Sequence, residues 1–288
     1  MSKFGTKYLV YTASALLVLI ASGRTGQAQY YYKDLVLTAQ ISASYHLLRA
    51  NSVTAVHVTP SDGADAEKEG VTLQQTVYPA QNLLVTYTKT PESGASWVKA
   101  YYNEGNRLLL SVDSTDDLVT RSAYAYDAAG HLASISSNSV PKNDPAMKEV
   151  HQWTYDVAGK PAKMVKIKND NDTTWVSFEA DEKGNTGEEK VVRNRVSLGS
   201  TFYYYDAQNR LTDIARYNKK ADRILPEYMF EYNDAGQVSQ MIVVPAGTSD
   251  YQTWKYAYNA NGLKQQEACY SKQKQLLGKV EYSYETGR

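Results

Sequence analysis

The residues best placed to do chemistry in this chain are aromatic rings set two apart, each pair followed at once by a carboxylate or an amide. In FYYYDAQNRLTDIARY, Phe202 to Tyr217, Tyr203 and Tyr205 precede Asp206. Side chains two apart share one face of an extended strand. On an open sheet face such rings stack on sugar rings while their hydroxyls bond the sugar's own. Tyr124 with Tyr126, Trp153 with Tyr155, Tyr256 with Tyr258, and Tyr232 behind Phe230 repeat the arrangement. The bland use of the same rows is a packing ladder between neighbouring strands, and the sequence leaves both uses open. The carboxylates Asp127, Asp156 and Asp206 are poor candidates for glycoside hydrolysis, which needs two acids facing each other roughly 5–10 Å apart across a cleft. They recur at one position of a repeat instead.

That repeat fixes the elements that must hold the rings. The pattern aromatic-x-Tyr-(Asp/Asn)-x-x-(Gly/Asn) recurs with its Tyr position at 102, 126, 155, 180, 205, 232, 258 and 284, Ala180 standing in once. Behind each Tyr comes a four-residue turn. Its first position is Asn103, Asp127, Asp156, Asp181, Asp206, Asn233 or Asn259, short side chains that accept a bond from the turn's own backbone. Its last is Asn106, Gly130, Gly159, Gly184, Asn209, Gly236 or Gly262, the two residue types that best tolerate a left-handed backbone. A type I turn closed by a bulge, between two strands, satisfies both demands. Upstream, Leu35, Ala39, Ala43 and Leu47 at steps of four predict an amphipathic helix over Asp34 to Ser52, and the chain from Val71 to Thr90 reads as a divergent first hairpin. The fold expected is all-β: an antiparallel meander of repeated β-hairpins, forming a curved open sheet with a short N-terminal helix. Its last strand, near Tyr282 and Tyr284, would be an uncovered edge able to accept a partner strand.

The repeated Tyr-Asp-x-x-Gly-x-Leu core resembles the YD-repeat, or RHS-repeat, family of secreted bacterial proteins. It is strongest at Tyr126–Leu132, Tyr155–Gly159 and Tyr205–Leu211, and weakest at Phe178–Glu189. The signal sequence and Tyr-rich style are also similar to exported proteins of the Bacteroidota. The resemblance implies strands that wind into a β-shell around a toxin in long members, or adhesion and carbohydrate binding in others. The hairpins here are too few for such a shell, and the chain ends inside its last repeat, so only a curved sheet presenting loops is expected.

Lys3 and Lys7 before the apolar Tyr8–Gly23, with small residues at Gly26 and Ala28, read as a cleavable secretory signal over residues 1–28. No cysteine lies near that junction for lipidation. Removing Lys3, Lys7 and Arg24 leaves 28 basic against 31 acidic side chains, a balance that calls for neither nucleic acid nor an anionic membrane. The organisation expected is a cap over 29–99 and the repeat array over 100–288, with no transmembrane segment in the mature chain. One cysteine, and four histidines in no ligand spacing, point to no metal and no cofactor. The function expected is non-enzymatic: a secreted or periplasmic binding or scaffolding module at the cell envelope, its partner a glycan or an envelope protein. The alternatives are an accessory of a toxin-type system that binds a protein and, behind it, a carbohydrate-active hydrolase.

Overall fold

The computed structural model describes residues 30–287 apart from 63–65, 68–69, 92, 246–247 and 249. The expected signal segment lies outside the described residues. Helix α1 (Tyr32–Ala50) leads directly into strand β1 (Val53–Asp62), followed by the two-residue β2 (Ala66–Glu67) and then β3 (Thr72–Tyr78), β4 (Leu83–Thr90) and β5 (Gly94–Tyr102). Seven further strand pairs run to the C-terminus. They are β6 (Leu108–Ser114) and β7 (Leu118–Tyr126), β8 (Leu132–Pro141) and β9 (Met147–Tyr155), β10 (Pro161–Lys168) and β11 (Asp172–Ala180), β12 (Thr186–Arg193) and β13 (Val196–Tyr205), β14 (Leu211–Asn218) and β15 (Arg223–Tyr232), β16 (Val238–Val243) and β17 (Gln252–Tyr258), and β18 (Lys264–Ser271) and β19 (Leu276–Thr286).

From β3 to β19 every strand pairs antiparallel with the next in sequence. The expected open sheet is corrected at its seam. β1 lies between β19 and β3, with Val56 opposite Tyr284, Val58 opposite Tyr282 and Pro60 opposite Val280 on one side, and Ala55, Val56 and His57 opposite Thr76, Gln75 and Gln74 on the other. β1 and β3–β19 therefore form a closed barrel of eighteen strands, and the expected free edge at Tyr282–Tyr284 does not exist. The reason is geometric. Each strand is rotated against its neighbour, and each turn adds a bulge that increases coiling, so over this many strands the two edges meet. Closure satisfies every edge amide at once.

Each repeat turn behaves as its residue types require. Asp127 N–H donates to the His131 carbonyl at 2.9 Å, Gly130 N–H to the Asp127 carbonyl at 3.0 Å, and His131 N–H to Asp127 Oδ1 at 2.8 Å. Gly130 has φ +88, a backbone conformation that strains any side chain, whereas the Arg107 guanidinium 2.5 Å from a Cβ built there is the movable end of a long side chain. The corresponding turns at Asn103, Asp156, Asp181, Asp206, Asn233 and Asn259 close with the same pair of backbone bonds.

Candidate functional site

The barrel has an inside, and helix α1 is in it. Tyr31 N–H reaches Glu189 on β12, Asp34 reaches His151 on β9, Ser42 meets the Leu108 amide on β6, Tyr45 stacks on Tyr102 of β5, and Arg49 bonds Asn82 and Asn106 in two turns. Partners spread this far around a closed wall can be touched together only from within. Tyr102, Leu108, Asn82 and Asn106 lie in or beside the turns and Glu189 and His151 in mid-strand, so the C-terminal half of α1 sits at the turn end and its start reaches the middle of the barrel wall.

Alternation then assigns every side chain. The aromatic rows point inward: Tyr102, Trp153, Tyr203 and Trp254 are buried, while Tyr124, Tyr126, Tyr155, Tyr205, Tyr232, Tyr256 and Tyr258 are half-buried. The repeat's second aromatic has one recurring role. The hydroxyls of Tyr126, Tyr155, Tyr205, Tyr232, Tyr258 and Tyr284 donate to the carbonyls of Leu108, Leu132, Thr186, Leu211, Val238 and Lys264, each the first strand residue after the preceding turn. The distances run from 2.5 to 3.0 Å. A phenylalanine packs the same ring but loses that bond, which is the physical reason for tyrosine at these six positions in a chain of 25 Tyr and 4 Phe. At Ala180 the ladder lacks its ring. Tyr32 of α1 stands there instead, 5.0 Å from Tyr203 and 6.3 Å from Phe178 between ring centroids.

Tyr102 begins the ladder, and its buried hydroxyl has no partner. Tyr126→Phe is expected to lower stability by about 1 kcal/mol, the net worth of one such bond, while Tyr102→Phe should leave it unchanged or raised. Urea denaturation of the two variants checks the contrast; equal losses would remove the ladder's energetic role.

Helix α1 is held at its start by the barrel rather than by its own cap. Tyr31 at the N-cap makes no side-chain capping bond. Glu189, fully buried, takes its place: its carboxylate accepts Tyr31 N–H at 2.8 and 2.9 Å, Tyr32 N–H at 2.8 Å and the Tyr203 hydroxyl at 2.8 Å. The orphan amides of a helix start are matched by an anion where the helix dipole favours one. Burial pushes the Glu189 carboxyl above its ordinary range, opposed by these donors.

Next to it sits an ionic cluster. His151 is buried, with Nδ1 2.7 Å from Asp34 of α1 and Nε2 3.0 Å from Glu149, itself 2.8 Å from Lys166 Nζ. The rings of Tyr31 and Trp153 close it edge-on at 5.6 and 5.8 Å. Burial alone would lower the imidazole pKa, but the bonds to Asp34 and Glu149 outweigh it and hold His151 above its ordinary value. Burial would raise Glu149, yet His151 and Lys166 bring it down to about 2. A raised imidazole pKa contributes stability that is complete below the unfolded value of about 6.5 and is lost as pH rises through the folded one. Thermal melts between about pH 6 and 9 should therefore show wild-type stability falling with pH through this cluster, and Asp34→Asn should flatten the fall. Parallel profiles would remove His151 from that role.

Toward the end opposite the turns the inner wall changes character. From β4 to β8 it carries hydroxyls, with Ser122 paired to Ser137 at 2.8 Å, Thr120 to Ser139 at 3.0 Å, and Thr86 accepting from Gln75 at 3.2 Å. From β9 to β15 it carries ion pairs, Lys166 with Glu149, Arg193 Nε with Asp172 Oδ1 at 2.9 Å, and Arg216 with Glu227 at 3.5 Å, while Lys168 of β10 and Asp113 of β6 face in without an ion-pair partner among the described residues. The outward residues of the same strands include Lys99, Arg121, Gln152, Lys163 and Lys190. Such a wall is not the apolar band of a lipid-facing barrel, where a mid-depth Lys or Arg costs about 2–4 kcal/mol. No described helix is long and apolar enough to cross a membrane.

The rows singled out by sequence are thus brought together as an inner lining whose ladder hydroxyls are occupied. Glu189, His151 and Asp34 were missed. The one signal available was parity: Glu189 stands two before the inward Val191, and His151 two before the inward Trp153.

No protein-family model matches the chain, and no curated protein matches it. Among solved structures, the Photorhabdus luminescens Tc holotoxin pore is 14% identical, with a TM-score of 0.33 over 73% of this chain and 12% of that one. A porin-like protein from Bacteroides uniformis is 10% identical, with a TM-score of 0.41 over 82% of this chain and 97% of that one. A second porin-like protein, from Bacteroides vulgatus, is 11% identical, with a TM-score of 0.28 over 81% and 98% of the two chains. This chain spans about 12% of the toxin chain it resembles, and nearly the full length of the two porin-like proteins.

Proposed function

We propose that this is an exported, non-enzymatic YD-repeat barrel, a binding module of the cell envelope whose interior takes a neutral carbohydrate. The observation that carries the reading is the inner wall at the end opposite the turns. Several of its charges are matched in pairs, and its hydroxyls, with the inward Asp113 carboxylate among them, keep donor and acceptor capacity beyond the pairs they form. A polyhydroxylated, uncharged ligand complements such a surface, and the half-buried rings below it offer a floor of aromatic faces. Helix α1, with its C-terminal half at the turn end and its start at mid-wall, bounds this space from below.

The test is a titration of the mature protein with a panel of neutral oligosaccharides, following tryptophan fluorescence in a Trp97→Phe/Trp175→Phe background. Trp97 and Trp175 are exposed on the outer wall, so the remaining indoles, Trp153 and Trp254, report from inside. A saturable change without new reducing ends supports the reading. Silence across the panel overturns the carbohydrate, and release of reducing sugar overturns the non-enzymatic assignment.

A further inference from the structure

The outer wall carries a second arrangement, independent of the interior. Because Ala100 and Tyr102 face inward, Trp97, Lys99 and Tyr101 face out, and the strand register lines their neighbours into rows. In the middle row Lys99 lies opposite Val112, Val112 opposite Arg121, Arg121 opposite Asn138, and Asn138 opposite Lys148. On one side of it Tyr87 is paired with Trp97, ring centroids 4.3 Å apart, and on the other Leu83 with Tyr101. Three cations therefore stand on every second strand, roughly 10 Å apart at the usual strand spacing, beside two rows that offer aromatic faces. Lys148 bonds Asp170 at 3.0 Å; among the described residues no carboxylate pairs with Lys99 or Arg121. Both are exposed, as is Trp97.

We propose that the outer face of β4–β9 is a binding strip for an acidic polysaccharide, one whose carboxylates recur on alternate sugars rather than on each. The cations meet the carboxylates, and the Tyr87–Trp97 pair and Tyr101 stack against the sugar rings between them. The sparse spacing argues for this polymer over a nucleic acid, which carries a phosphate on every nucleotide, about every 3.4 Å of axis on each strand of a duplex, and would leave most of its charge unmatched by cations this far apart. The strip would hold the barrel on a charged surface while the end opposite the turns stays free.

The experiment is binding of the full mature chain to immobilised hyaluronate, with dextran and a poly-dT oligonucleotide as comparisons, at low and high salt. Saturable binding to hyaluronate that weakens with salt is expected, together with a loss of roughly tenfold in Lys99→Gln/Arg121→Gln, as for two exposed charge contacts. Trp97→Ala should weaken binding without changing its salt dependence. Binding to dextran as tight as to hyaluronate, tighter binding to the oligonucleotide, no binding to hyaluronate, or an unchanged double variant would each overturn the proposal. None of these variants touches the inner wall, so interior binding of neutral oligosaccharides stands or falls separately.

Discussion

Replacing Glu189 by alanine should produce one of the two largest losses of stability in this protein, about 3–5 kcal/mol, seen as a fall in Tm of roughly 10 °C. One carboxylate satisfies Tyr31 N–H, Tyr32 N–H and the Tyr203 hydroxyl, all in a site closed to water. Alanine leaves three donors unpaired where nothing else can accept. Glu189→Gln should fall between wild type and alanine, because its amide nitrogen adds a donor to a site that already holds three. The helix start should also loosen, so limited proteolysis between Tyr31 and Leu37 should accelerate more than cleavage elsewhere. A variant that melts with wild type would show that α1 is not anchored through this residue.

The second large effect belongs to the other half of the helix. Tyr45 is fully buried and lies parallel to Tyr102 at 3.7 Å, within the cluster formed by Leu48, Val53, Val56, Leu108 and Val280. Tyr45→Ala removes a whole ring from a site walled by β1, β5, β6 and β19, strands that cannot collapse inward without breaking the barrel's register. A cost of about 3–5 kcal/mol is expected, the range for deleting a buried aromatic. The loss should fall on the seam, because Val53 and Val56 are in the same cluster and belong to the closing strand. Hydrogen exchange should show β1 and β19 opening before β12 and β13. Uniform acceleration in all strands would mean that the helix supports the barrel as a whole and not its seam.

How much of this could be read from residues alone depends on the range of the interaction. The turns were legible because their demands are local: Asp127 and Gly130 answer to backbone atoms within four residues of themselves. The inward aromatic rows were legible as rows, since alternation in a strand is also local. Why the ring is tyrosine was only half legible. The hydroxyl's partner is a carbonyl 18 residues back for Tyr126 and 23 for Tyr155, set by the pairing of repeats and not by either segment. Closure was not legible, because Val56 meets Tyr284 through a register formed only when every intervening strand has coiled. Where helix α1 packs was not legible either, for the same reason. Its apolar spacing says that it packs, but the partner that fixes where, Glu189, stands 158 residues from Tyr31. In the sequence that acid is one of two glutamates before a lysine and looks like ordinary surface charge.

Closure of the barrel decides the rest, since an open sheet has neither an interior to bind a ligand nor a lumen to hold a helix. Native-state hydrogen exchange read at single amides across the seam tests it most directly. A closed barrel predicts that the amides of β1 and β19 engaged in the β1–β19 ladder are protected as strongly as those of interior strands such as β10 and β12. Exchange of those seam amides at the rate of an exposed edge, with the interior strands still protected, would contradict it.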